Sequence, residues 1–202
     1  NIYHYKKWKQ CRDNNVILLS IYDFYWILES KKEIYKSKIM HYLNLDNRIY
    51  ARKCELKELN NETAFLFYGD NHIEGKGFAY RNSKSYGLFY DNNLVMCCTI
   101  GEIYNQTAKC FKNKLHRICT LRGTTVVGGI SKLSKFLLKT YSSFSYQITL
   151  SSGGSTLNTT ESCKIISPRY FWVNPKNLQY YHRNYCQKHL LEKHFNVSVL
   201  KE

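Results

Sequence analysis

The sequence is poor in several residue types, and each shortage excludes a class of protein. Its 202 residues include only 2 prolines and 10 glycines, which excludes collagen-like and linker-like chains. No apolar run approaches the roughly 18 residues that a membrane-spanning helix needs, and the N-terminal stretch NIYHYKKWKQ has no apolar core of a secretory signal. Because 44% of the residues are hydrophobic and 15% are aromatic, the chain is nevertheless apolar enough to fold around a core.

Cysteine pairs at metal-binding spacing are also missing. The 8 cysteines include no Cys-x-x-Cys pair, so the pattern does not predict a metal site. Without an export signal, we expect reduced thiols in a cytoplasmic protein. The first residue is Asn rather than Met, so we expect the chain to begin inside a longer natural protein.

Acidic residues are half as numerous as basic ones, 15 against 30, which gives a net charge of +15. No acidic residue occurs between Glu102 and Glu161. A long stretch of one sign attracts polyanions, so we predict that the basic residues of this interval bind DNA. Two alternatives stay open, a smaller anion such as a nucleotide or coenzyme, and a solvated basic face without a ligand. The basic residues in question are Lys109, Lys112, Lys114, Arg117, Arg122, Lys132, Lys135 and Lys139.

Patterns in the first 47 residues predict a strand followed by a helix. The apolar run at residues 16–22, VILLSIY, is typical of a buried strand. Ser30 and Glu33 have the spacing of a capping box, which predicts a helix over the residues that follow. We place a domain boundary at residue 47, where Asp46 and Asn47 end this helical pattern.

From residue 48 to 181 the patterns predict an α+β domain with a mixed, mostly antiparallel sheet and flanking helices. A basic helix and tail at 182–202 should follow. Asn60 or Asn61 should cap a short helix, and the turn at 91–93 should join a hairpin. The predicted strands are 49–56, 86–90, 94–100, 116–121, 146–150, 163–166 and 170–173, and the later helices are 130–141 and 182–195.

A glycine-containing crossover joins the predicted strand at 116–121 to the helix that starts at residue 130. Its sequence, TTVVGG, ends with Val127, Gly128 and Gly129, which are the candidate cofactor-binding residues. Backbone N–H groups at a helix N-terminus suit a phosphate, and glycine allows a ligand to approach closely. The alternative is an ordinary tight turn.

Several segments together resemble phage-encoded homing endonucleases, in which a very-short-patch-repair-like (EDxHD) nuclease domain precedes a second domain. That second domain resembles the GNAT acetyltransferase fold, of the kind seen in phage DNA-modification proteins of the Mom type. The nuclease part of the resemblance rests on Tyr3-His4, Cys11, residues 16–21, Asp23, Trp26 and IYARKCELKEL. The second part rests on Asn71-His72, Gly75, GLFYDNNLV, TTVVGGISKLSKFLLKTY, PRYFWV and RNYCQKHLLEKHF.

The resemblance implies a DNA-binding protein derived from a homing endonuclease. It implies His4, Lys7 and Asp23 as the catalytic residues of a truncated nuclease half that would use a divalent metal. It also implies that residues 127–129 bind the pyrophosphate of an acyl-coenzyme A, as in a transferase that modifies a nucleic-acid base. A third possibility is a non-enzymatic phage protein that binds host proteins.

Overall fold

The computed structural model describes residues 2–76, 81–105, 109–146, 172–173 and 180–181. This part of the chain is α+β, as predicted, and none of its helices is both long and apolar enough to cross a membrane. The elements, in chain order, are α1 (Ile2–Asp13), α2 (Asp23–Trp26), α3 (Glu29–Tyr42), β1 (Asn47–Tyr50), a 3₁₀ turn (Ala51–Lys53), β2 (Glu55–Leu59), α4 (Asn61–Asn71), β3 (Arg81–Tyr90), β4 (Asn93–Asn105), β5 (Cys110–Thr120), β6 (Thr124–Val127), α5 (Gly129–Tyr141), β7 (Trp172–Val173) and β8 (Tyr180–Tyr181).

Four strands form an antiparallel sheet in the order β2-β3-β4-β5. The predicted hairpin is its centre: Tyr90 pairs with Asn93, and the two residues between them turn the chain. Asp91 and Asn92 have φ values of 48° and 62°, which two-residue hairpin turns require because such turns match the twist of the strands. A separate parallel pair, β1 with β6, makes the strand arrangement mixed.

Both faces of the sheet are buried, and Cys97 and Cys98 show how. Successive residues of a strand point to opposite faces, so Cys98 lies in the larger core while Cys97 lies in a smaller one. Leu133 and Leu137 of α5 belong to the larger core. The smaller core contains Ala64 and Tyr68 of α4, so the two helices cover opposite faces.

Both of these helices form where local features of the sequence predicted them. The side chain of Asn60 accepts a hydrogen bond of 2.7 Å from the N–H of Thr63, which caps α4. Helix α5 begins one residue before its predicted start and ends at Tyr141. Its buried face includes Leu133 and Leu137, four residues apart, as an amphipathic helix requires.

The N-terminal strand prediction is wrong. Residues 16–22 follow helix α1 as an irregular segment, and the side chains of Val16 and Ile17 are 55% and 68% exposed. An apolar run becomes a buried strand only when a sheet covers it, and no strand in the described ranges contains this segment. Helix α3 forms, but its N-cap is Leu28 and no side chain caps it, so the predicted capping box is absent.

Two predicted boundaries also differ from the structure. The strand expected at 49–56 is interrupted by the 3₁₀ turn, because β1 pairs with β6 whereas β2 pairs with β3 in the other sheet. For the same reason the loop expected at 122–129 contains β6. Trp172 and Val173 pair with Tyr181 and Tyr180. The predicted strand at 163–166 and the helix at 182–195 lie outside the described residues, as does the predicted strand at 146–150 except for its first residue.

Candidate functional site

The predicted cofactor-binding residues form the junction between β6 and α5. Val127 ends the strand, Gly128 is the N-cap and Gly129 begins the helix. Gly128 has a φ of 76°, the left-handed conformation that favours glycine. No side chain of the described residues caps α5, and its first turn contains no acidic residue. The first N–H groups of this helix therefore lack the usual side-chain acceptor and carry the positive end of the helix dipole.

The parallel pairing of β1 with β6 brings a second cationic element to this junction. Tyr50 pairs with Val127, so both strands end at the same edge. The 3₁₀ turn follows β1, and a Cβ atom built on Gly128 would lie 3.9 Å from the Cβ atom of Ala51. The next two residues of that turn, Arg52 and Lys53, are exposed. The 3₁₀ turn that carries these two cations thus passes beside the uncapped N-terminus of α5.

A shallow cleft of about 110 Å³ adjoins the same edge. Its walls include Tyr50 and Lys53, and the guanidinium group of Arg52 lies 5.1 Å from the centre of the Tyr50 ring. Tyr50 and Val127 are 48% and 38% exposed. The lining contains two tyrosines, Arg48 and Lys53 but no residue of β6 or α5, and it is suited to an anionic ligand with an aromatic or aliphatic part.

Lys132, which was predicted to bind DNA, attaches the 3₁₀ turn to α5. Its Nζ atom donates hydrogen bonds to the carbonyl oxygens of Ala51, at 3.0 Å, and of Cys54, at 2.5 Å. These bonds hold the 3₁₀ turn against the first helical turn of α5. Lys132 therefore positions Arg52 and Lys53, a role that the charge pattern of the sequence did not indicate.

Close packing around position 129 leaves no room for a side chain, so glycine is required there. A Cβ atom at this position would approach the Sδ atom of Met96 to 2.6 Å and the Cγ1 atom of Val126 to 2.9 Å. Met96 is itself buried in the larger core. The two glycines thus have separate causes, backbone conformation at Gly128 and close packing at Gly129.

The residues predicted to bind DNA do not share one surface. Lys112 and Lys114 pair with Ile103 and Gly101, which places them on the face of the sheet that α4 covers. Lys135 and Lys139 are exposed on α5, the helix that covers the other face. The basic interval is therefore divided between the two sides of the sheet.

The other predicted DNA-binding residues differ in their surroundings. The Nη1 atom of Arg117 lies 2.6 Å from the Glu74 carboxylate, and this side chain is only 16% exposed. Lys109 is exposed at the start of β5, and Arg122 is exposed in the turn that follows this strand. Arg117 is thus already paired, whereas Lys109 and Arg122 present their charge at the surface.

The predicted nuclease residues are spread along the N-terminal helices. His4 and Lys7 are exposed on α1, and Asp23 is exposed at the start of α2. His4 packs edge-on against the ring of Tyr3, with 5.3 Å between ring centres. Within the described residues no group of three or more His, Cys, Asp or Glu side chains could hold a metal ion.

One polar cluster escaped the sequence analysis because its members are far apart in the chain. His41, Asp46 and Thr125 meet where α3, β1 and β6 come together. Hydrogen bonds from Thr125 and then from His41 lower the pKa of Asp46. Asp46 and Thr125 both contact Nδ1 of His41, at 2.9 and 2.7 Å, whereas a relay to a nucleophile needs both ring nitrogens. The cluster therefore fastens α3 to β6.

No protein-family model matches the chain, and no curated protein sequence matches it. Solved acetyltransferase structures are weakly similar to part of the chain. An aminoglycoside acetyltransferase from an uncultured soil metagenomic sample is 10% identical over 59% of this chain and 96% of its own, with a TM-score of 0.42. A possible acetyltransferase from Clostridium difficile is 8% identical over 60% and 99%, with a TM-score of 0.39. A ribosomal-protein-alanine N-acetyltransferase from Brucella melitensis is 12% identical over 58% and 99%, with a TM-score of 0.37. At these values the similarity assigns no activity, substrate or cofactor to this chain.

Proposed function

We propose that this chain is an acyl-coenzyme A-dependent transferase that binds the coenzyme pyrophosphate at the junction of β6 and α5. The observation that carries the proposal is the uncapped N-terminus of α5 beside the cationic 3₁₀ turn. Backbone N–H groups and the helix dipole favour a phosphate there, and Arg52 and Lys53 add two positive charges at the same edge. Gly128, with no side chain, leaves room for the pyrophosphate to approach the backbone.

The chemistry would be acyl transfer to a nucleophile. The acceptor nitrogen or oxygen attacks the thioester carbonyl, the new bond forms to the acyl carbon, and the carbon–sulfur bond breaks. The acceptor loses a proton, and the coenzyme leaves as its thiol. Anchoring the pyrophosphate at α5 would fix the position of the thioester, and such positioning lowers the barrier of a two-substrate reaction. The net charge of +15 favours a nucleic-acid base as the acceptor.

The experiment compares two substitutions at Gly128 that differ only in charge. Gly128→Asp places a carboxylate at the phosphate position, whereas Gly128→Asn has the same shape, and both residues tolerate positive φ better than other side chains. Acetyl-coenzyme A should raise the melting temperature of the original protein and of Gly128→Asn. It should not stabilise Gly128→Asp. An equal shift in both variants, or no shift in the original protein, would refute the proposal.

DNA binding is a second candidate function, favoured by the exposed basic residues of β5. Lys109 and Lys112 are exposed, and Lys112 shares a face of the sheet with Lys114. Replacing Lys112 and Lys114 by glutamate should weaken binding to duplex DNA of any sequence and reduce the salt dependence of the affinity by about two phosphate contacts. Lys135→Glu on α5 is the matched control, and an equal loss in both proteins would refute this surface. DNA cleavage by His4, Lys7 and Asp23 stays a hypothesis.

A further inference from the structure

A second cleft, larger than the one beside Tyr50, has a volume of about 260 Å³. It is formed by α3, the end of α4, and the end of β5 with the turn that follows it. Its polar walls are Ser37, Lys38, Asn71, His72, Thr120 and Arg122. None of the residues that line the cleft is acidic, so its charged groups are the two cations Lys38 and Arg122.

Two further cationic residues lie close to the residues that line this cleft. Lys31 of α3 and Arg117 of β5 act electrostatically on His72, as Lys38 does. The acidic partner of Arg117 is Glu74, at 2.6 Å, and the Nε atom of Arg117 is buried without a hydrogen-bond partner among the described residues. Two carboxylates act on these four cations: Glu74 acts on Arg117 and Lys31, and Glu33 of α3 acts on Arg122. The cleft therefore keeps an excess of positive charge.

His72 is a neutral hydrogen-bond donor in this surrounding. Burial lowers its pKa to about 3, helped by the charges of Arg117, Lys38 and Lys31. Its Nδ1 atom accepts the N–H of Glu74 at 3.2 Å, so in the neutral ring the hydrogen is on Nε2. The ring, which also packs edge-on against Tyr68, therefore offers an N–H group without carrying a charge of its own.

Hydrogen bonds hold the walls of the cleft together. The Oγ atom of Ser37 accepts the N–H of Gly123 at 2.8 Å, which leaves the serine O–H as a donor. Asn71 accepts the N–H of Arg122 at 2.8 Å. The carbonyl oxygen of His72 accepts a hydrogen bond from the ammonium group of Lys31. The positive charge of Lys31 therefore offsets the negative end of the α4 helix dipole. The turn that carries Arg122 is thus fixed to both helices before a ligand binds.

We propose that this cleft binds an anionic phosphate group, which could be inorganic phosphate, a phosphate monoester or the phosphodiester of a polynucleotide. Lys38 and Arg122 supply charge, and Ser37 and His72 supply neutral donors. These four residues belong to three parts of the fold, which are α3, the end of α4 and the turn after β5. A tetrahedral anion with several acceptor oxygens matches donors that converge from different elements. The site shares no residue with the junction of β6 and α5, so it stands apart from the proposed transferase function.

The test is a calorimetric titration of the whole chain with inorganic phosphate, adenosine monophosphate and a short single-stranded oligonucleotide. Lys38→Gln and Arg122→Gln should each weaken phosphate binding by about tenfold, while Lys135→Gln should bind as the original protein does. Arg122→Lys keeps the charge and should retain most of the affinity. Gly128→Asp should leave phosphate binding unchanged even if it abolishes binding of acetyl-coenzyme A, which separates this site from the proposed coenzyme site.

The histidine ring gives a second measurement. Phosphate should shift the NMR signals of His72 in the original protein. Its negative charge should also raise the pKa of the His72 ring. Without phosphate, the groups that face this ring are those of Lys31, Lys38, Arg117, Glu74 and Tyr68. Preference for adenosine monophosphate would identify a small ligand, and preference for the oligonucleotide would identify a backbone phosphate. The absence of saturable binding, or an equal loss of affinity in Lys135→Gln, would overturn the proposal.

Discussion

Replacing Lys132 by glutamine should destabilise the protein, because its ammonium group joins α5 to the 3₁₀ turn. Both of its acceptor residues, Ala51 and Cys54, are 4% exposed, so their carbonyls would be left without this partner. A hydrogen bond to a charged group contributes about 1.5–3 kcal/mol. Lys132 is partly exposed and water can replace some of the lost interaction, so we expect about 2–3 kcal/mol for the two bonds together.

The measurement is urea unfolding followed by tryptophan fluorescence, with Lys135→Gln as the matched control on the same helix. Lys135 is exposed, so its substitution should change the free energy of unfolding by less than about 0.5 kcal/mol. Lys132→Met, which keeps the aliphatic part but cannot donate, should lose at least as much stability as Lys132→Gln, whose shorter side chain still has an amide N–H group. If Lys132→Gln unfolded at the same urea concentration as Lys135→Gln, the two bonds would not stabilise the fold and our account of this residue would be refuted.

Two further predictions concern the same region. Gly129→Ala should destabilise the protein by about 1–3 kcal/mol because the new methyl group would overlap Met96 and Val126, and an unfolding midpoint equal to that of the original protein would contradict this packing. Thr125→Val removes the main cause of the lowered pKa of Asp46. A carboxyl group with a lowered pKa stabilises the fold at pH values above its unfolded pKa of about 3.9, and this stabilisation is lost as the pH falls through the folded pKa. The variant should therefore lose less stability in acid than the original protein does. Thr140→Val, at an exposed position, is its control in unfolding experiments from pH 6 down to about pH 2, and identical pH profiles would show that Thr125 does not act on Asp46.

Short-range signals predicted the elements whose stabilising contacts are local. The hairpin of β3 and β4 depends on Asp91 and Asn92, which adopt positive φ more readily than most residues. Asn60 caps α4 three residues before the N–H group that it binds. Helix α5 has its apolar side chains at helical spacing. In each case the chemistry that determines the structure is contained within a few residues of sequence.

Long-range pairing decided the elements that the sequence analysis missed. The run at residues 16–22 has the composition of a strand, but no described strand contains it, and Val16, Ile17 and Ile21 are exposed. The chain after Tyr50 turns because β1 and β2 belong to different sheets. The walls of the phosphate cleft come from α3, α4 and β5, and no local pattern connects Lys38 with His72 and Arg122.

The sequence by itself determined the net charge of +15, the α+β class, and the position of the turn at Gly128, since each depends on composition or on neighbouring residues. The tertiary structure decided which cations are available. Arg117 and Lys114 are three residues apart, yet their partners Thr99 and Gly101 share one face of the sheet. The reason is a bulge at His116, where the register shifts and an extra residue reverses the alternation. Lys132, a surface charge by its sequence pattern, is held by two carbonyls that only the folded chain brings to it.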